Sequence, residues 1–259
     1  MKGKTKMKKL MIGSAIALCA AVVCPALESA NVVGYTEVAR TAKYMVSGNM
    51  FVVPSGQTWK VSDLKVVDGN YEDDQIMFLQ PSQSVVDYKR AFYYDPDEKY
   101  WCYAHPQSGK QDEEITAADD VIPAGTAFLC VFNTSTAKLM YAGEVQKGTA
   151  GYITIPRASK YQLMVNQLPY QIDLTDMKIE DGNYEDDQVM FLQPTQSVVD
   201  YTKAYYYDSD EKYWCYAHPS SGHQDEEVQE GIQTLGIGAG FLTVFNTSTA
   251  KVVFTAPNL

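Results

Sequence analysis

Histidine, cysteine, positive charge and long apolar runs are all scarce in this 259-residue chain, and each shortage removes a class of function. The only histidines are His105, His218 and His223. A zinc site needs three or four nitrogen or sulfur ligands at suitable spacing. One His near one Cys falls short of that, and Cys102 and His105, three apart on a predicted strand, point to opposite faces. There is no Gly-x-Ser-x-Gly elbow, and no cysteine has an evident base partner, so nucleophilic catalysis lacks its parts and the chain reads as a non-enzyme. Lys and Arg number 21 against 32 Asp and Glu. Such a surface repels phosphate backbones and anionic lipid, which excludes nucleic acid and membrane surfaces as partners. Helix-favouring patterning is sparse beyond the N-terminus, whereas 19 tyrosines favour strands.

The longest uncharged apolar run, Leu10–Cys24, has 15 residues, against about 20 for a membrane-spanning helix. Lys2, Lys4, Lys6, Lys8 and Lys9 precede it, and small residues follow, with Ala26 and Ala30 as cleavage points. This is the layout of a secretory signal peptide over residues 1–30. Cleavage after Ala26 places Cys24 at the −3 position, which is acceptable; cleavage after Ala30 places Glu28 there, which is poor. The competing reading is an uncleaved anchor. Leu18 and Val23 precede Cys19 and Cys24, where a lipoprotein needs a small residue. Without residues 1–30, 16 basic residues face 31 acidic ones, a net charge of −15. Cys102, Cys130 and Cys215 remain, an odd number and no disulfide scaffold. Cys102 and Cys215 are read as packing residues in equivalent sites, not as a mutual bridge.

Self-comparison is more informative than any single motif. Residues 66–114 align without a gap on 179–227, with 39 of 49 positions identical at an offset of 113. Residues 128–138 match 241–251 at 10 of 11 positions. Each unit is read as a domain, 31–147 and 148–259. Within a unit, Val32–Val38, Tyr44–Val53, Gln75–Gln80, Val85–Tyr94, Tyr100–Ala104, Ala127–Phe132 and Leu139–Val145 read as strands, and Ser62–Val67, like Leu174–Ile179 in the second unit, as a short helical turn. Ile76, Met77, Phe78 and Leu79 in succession suit a strand covered on both faces. The expected fold is all-β: two tandem homologous β-sandwich or barrel-like domains after a signal peptide.

Asn31-Val-Val-Gly-Tyr35, Pro123-Ala-Gly-Thr-Ala-Phe128 and Tyr141-Ala-Gly-Glu-Val145 resemble the phrases that frame each repeat in a set of secreted bacterial β-repeat proteins of largely unknown function. The resemblance covers the whole mature chain and implies export and β architecture, with no activity attached. The second unit departs from it: Gly236-Ile-Gly-Ala-Gly240 replaces the Pro-Ala-Gly step, and the chain ends without Gly-Glu-Val.

Three patterns carry chemistry. Asp68, Asn70, Glu72 and Asp74, repeated as Asp181, Asn183, Glu185 and Asp187, alternate as oxygen ligands do in a loop around Ca²⁺, although the EF-hand spacing fails. The competing reading is a solvated acidic turn. Trp101, Tyr103 and His105, repeated as Trp214, Tyr216 and His218, crowd a hairpin strand. If exposed they form a platform for sugar faces; if buried they fill a core. Asn133-Thr-Ser135 and Asn246-Thr-Ser248 are formal glycosylation sequons and read here as hairpin turns. The expectation is a secreted or cell-surface structural or interaction protein, capable of self-association. No cofactor is expected beyond the calcium candidate. The alternative is a carbohydrate-binding module with one aromatic site per repeat. The partner is then a glycan or another surface protein; the periplasm stays open as an endpoint.

Overall fold

Alternation of apolar and polar residues, Tyr-rich pairs and Asp/Asn/Gly turns produce an all-β fold, with 49% strand and 6% helix, all of it 3-10, among the described residues. The computed structural model describes residues 33–48, 58–70, 72–80, 83–122, 126–144, 152–168, 170–183, 185–193 and 199–255. The expected leader 1–30 with its expected cleavage points, and the expected 147/148 boundary, lie outside them.

The first half contains β1 (Val33–Ala39), β2 (Tyr44–Gly48), β3 (Trp59–Lys60), β4 (Lys65–Val67), β5 (Gln75–Leu79), β6 (Val86–Asp95), β7 (Tyr100–Tyr103), β8 (Val121–Ile122), β9 (Ala127–Val131) and β10 (Lys138–Glu144). They form a three-stranded sheet β1-β10-β4, a five-stranded sheet β2-β9-β5-β6-β7 and the ribbon β3-β8, all antiparallel. The second half repeats the series as β11 (Tyr152–Pro156), β12 (Tyr161–Val165), β13 (Ile172–Asp173), β14 (Met177–Glu180), β15 (Gln188–Leu192), β16 (Val199–Asp208), β17 (Tyr213–Tyr216), β18 (Thr234–Leu235), β19 (Gly240–Val244) and β20 (Lys251–Thr255). Its sheets have the same strand orders. The helical turns expected before Val67 and Ile179 shrink to one 3-10 turn each, Val61–Asp63 and Leu174–Asp176. Beyond them Val66, Met177 and Ile179 are drawn into strands that pair with β10 and β20.

Each half has its own core. In the first, Ile76, Phe78, Phe92, Trp101, Tyr103 and Phe128 of the five-stranded sheet meet Val66, Leu139 and Tyr141 of the three-stranded sheet. The second core repeats this with Val189, Phe191, Tyr205, Trp214, Phe241 and Phe254. Alternate residues point the other way. Val46, Leu129 and Val131 of the first half meet Leu163, Val165 and Leu242 of the second in a third cluster, flanked by Met77, Leu79, Met190 and Leu192. Strand β5, expected to be covered on both faces, buries Ile76 and Phe78 in its own half's core, while Met77 and Leu79 on the other face are only partly buried, against the cluster shared with the other half. Strands β2 and β12 face each other, and β2 against β19 is mirrored by β12 against β9. This is an isologous, pseudo-twofold contact. Residues 31–259 form one compact unit.

The sheets approach closely where side chains are missing. A Cβ on Gly240 would lie 2.4 Å from the Val46 side chain and 2.4 Å from the Met164 carbonyl oxygen. One on Gly48 would lie 2.9 Å from Ala127 Cβ and 3.2 Å from Val165. Gly238, at φ 66°, brings the second half's 236–239 turn against Tyr141 and Val38 of the first. Gly240→Ala should therefore force the halves apart and cost about 1–3 kcal/mol. Gly236→Ala, whose Cβ would meet nothing closer than 3.9 Å, should be near neutral. Urea midpoints of the two variants test this; equal midpoints contradict the close contact.

Candidate functional site

The crowded hairpin is the first place to look for a ligand. Asp95 Oδ1 accepts from the backbone N–H of Asp97 and Glu98, and Lys99, at φ 64°, closes the turn between β6 and β7. This aims Trp101 and Tyr103 inward. Trp101 and Trp214 are each 1% exposed, and Tyr103 is 2% exposed. Each indole N–H donates to a backbone carbonyl, Trp101 to Leu64 at 2.9 Å and Trp214 to Met177 at 2.7 Å. The expected stacking platform is therefore corrected: these rings are core groups with their polar handle satisfied. Tyr216 is half-buried and packs against the second core.

The opposite face of the hairpin is also covered. Cys102 bridges to Glu114, and the 110–115 segment lies over it. Tyr93 beside Cys102 donates to Asp112 at 3.1 Å; Tyr206 and Asp225 repeat this at 3.2 Å. Burial pushes the Cys102 and Cys215 thiols up, away from the thiolate form that reactivity requires. All three described cysteines are free and buried. The halves differ at one tyrosine. Tyr103 donates to Asp119, whose carboxyl this bond holds below its ordinary value. Tyr216 instead stacks on His223 at 5.5 Å, where the first half has Lys110 over Tyr103.

The acidic turns make a clasp. Asp68 and Asp181 sit at φ 55°, so the chain doubles back over Gly69 and Gly182, where a Cβ would strike the buried Asp74 or Asp187 carboxylate. Asp74 accepts from its own turn, Asn70 N–H at 2.6 Å, and from Thr134 N–H at 3.0 Å, sixty residues away. Asp187 does the same with Asn183 N–H at 2.6 Å, Asn246 N–H at 2.6 Å and Thr247 N–H at 3.0 Å. The sequon amides return the contact: Asn133 donates to the Asp73 carbonyl and Asn246 to the Asp186 carbonyl, both at 2.7 Å. Thr136 and Thr249 donate to the Asp68 and Asp181 carbonyls. The Asn70 and Asn183 side-chain amides donate to Asp73 and Asp186. The carboxylates of Asp68 and Asp181 pair instead with Lys138 and Lys251. Glu72 and Glu185 accept at their backbone carbonyls from Gln75 and Gln188. The alternating ligands do not converge, and no group of three His, Cys, Asp or Glu gathers among the described residues.

His105 and His218 are caps. Each ring Nδ1 accepts a backbone N–H of the following 3-10 turn, from Gln107 at 3.2 Å and Ser220 at 3.1 Å. Each ring also packs on a tyrosine that sequence reasoning passed over, His105 stacked on Tyr88 at 4.5 Å and His218 tilted against Tyr201 at 4.7 Å. The cause is a break in register. Phe78 opposes Asp87 while Met77 opposes Ala91, so residues 88–90 have no partners on β5; residues 201–203 repeat the break on β16. Arg90 folds back over the Phe78 ring at 4.2 Å, and Tyr88 turns outward. Tyr88 and Tyr201 line a cleft of about 670 Å³ between the two five-stranded sheets, floored by Leu79, Leu129, Leu163, Leu192 and Leu242.

No helix among the described residues is long and apolar enough to cross a membrane. No family model, curated protein or solved structure matches the chain.

Asp74→Ala should leave a partly buried backbone N–H of the Thr134 turn without its acceptor and cost about 1–2 kcal/mol. Glu72→Gln, on the exposed side of the same motif, should stay within about 0.5 kcal/mol of the parent. Denaturant titrations compare them, and equal losses contradict the clasp.

Proposed function

We propose that the chain is an exported, non-catalytic structural or interaction protein whose two homologous β domains, 31–147 and 148–259, form an internal pair. The observation that carries this reading is where the duplicated chemistry goes. Trp101 and Trp214 are buried and bonded to backbone, and Asp74 and Asp187 hold two turns together. The phrases repeated most faithfully thus serve folding, as a scaffold requires. The buried thiols favour the same reading, because their ionisation is opposed. The carbohydrate alternative loses its main support with the indoles.

Export rests on the basic start and 15-residue apolar run, together with the resemblance to secreted bacterial β-repeat proteins at Asn31–Tyr35. The destination is the cell surface or the medium, where a net charge of −15 keeps the mature chain soluble. The test is N-terminal sequencing of the protein recovered from cells and medium. The expected start is Leu27 or Asn31; a chain that retains Met1 contradicts export with cleavage.

A further inference from the structure

The cleft between the halves is a large concavity that the cores and clasps described above leave uncommitted. It is pseudo-symmetric: Leu79 with Leu192, Val86 with Val199, Tyr88 with Tyr201 and Leu129 with Leu242 line it from the two halves. Leu129, Leu163 and Leu242 also belong to the apolar cluster that joins the sheets, so the cleft is the open continuation of that interface. Its floor is fixed by the pairing before any ligand arrives. Its volume lies in the range of small-molecule sites.

The rim is built by the register breaks in β6 and β16, and such irregularities serve to re-aim side chains. Here they expose Tyr88 (42%) and Tyr201 (51%), and Val85 (47%), just before β6, is exposed beside them. Each tyrosine is propped by a histidine that a 3-10 turn holds in place. Exposing a propped aromatic at the same position of both halves gives nothing to either core.

The lining says what would fit. In a chain with 53 charged side chains, none of the cleft's described lining residues is charged. Its polar groups are Ser84, Gln193 and the two tyrosine hydroxyls. A sugar would bury ring hydroxyls against leucine without partners, and an anion would meet the acidic surface with no compensating cation. We propose that the cleft binds one uncharged aliphatic chain, held on the leucine floor between Tyr88 and Tyr201. This goes beyond the scaffold reading and does not depend on export.

The test uses protein produced from the full-length gene, titrated with the neutral fluorophore N-phenyl-1-naphthylamine. The expected result is saturable binding of one molecule per chain, displaced by 1-dodecanol and not by maltohexaose. The double variant Tyr88→Ser, Tyr201→Ser, with its circular dichroism unchanged, should bind at least tenfold more weakly. If that variant misfolds, Val85→Asp, which places a charge on the exposed rim, should give the same loss. Absence of saturable binding, displacement by maltohexaose, or unchanged affinity in the folded variants overturns the proposal. So does sedimentation showing that the parent pairs with a second copy through the tyrosines while the variant does not.

Discussion

A five-stranded sheet with apolar residues on both faces must be covered twice, and one repeat supplies only one cover. In each half the three-stranded sheet and the short ribbon close over the Trp101 or Trp214 side. Among the described residues, the face of Val46, Leu129 and Val131 is covered by the equivalent face of the other half. Burial of apolar surface contributes roughly 25 cal/mol per Å², so leaving such a face wet would cost each half several side chains' worth of stabilisation. The pseudo-twofold contact follows from this. It also closes on itself, because an isologous interface uses up the surface that would otherwise propagate. Two repeats arranged in this way make a pair and not a growing array.

Features on the pseudo-axis and features away from it then behave differently. Off the axis, structural devices appear twice: the clasp of Asp74 and Asp187, the caps of His105 and His218, the buried indoles. On the axis the cleft is single and composite, and neither half alone contains it. Divergence between the copies lies where no such constraint acts, as in the partners of Tyr103 and Tyr216, Asp119 in one half and His223 in the other.

Much of the fold was legible in the sequence. The ungapped identity of 66–114 with 179–227 announces the duplication, and β6, β7, β9 and β10 begin and end within about one residue of their expected limits. The helical turns before Val67 and Ile179 were only half right, because pairing with β10 and β20 overrides local turn preference. The ribbons β3-β8 and β13-β18 have two residues per strand, too short to show a period. The site reading failed for non-local reasons. Alternating acids at 68–74 look like a cation loop until Thr134, sixty residues on, claims Asp74. The period of a strand tells that Trp101 and Tyr103 share a face, but which face meets solvent is decided by other strands. Tyr88 and Tyr201 sit in phrases that read as regular strand, and no local signal marks the break that turns them outward.

The mutual covering of the two sheet faces is the claim from which the rest follows. Its most direct measurement is the sedimentation behaviour of residues 148–259 expressed alone. The account predicts that this half pairs with itself, or with separately produced residues 31–147 when the two are mixed, through the face of Leu163, Val165 and Leu242. A monodisperse monomer as stable as the intact chain, indifferent to the other half, would contradict it.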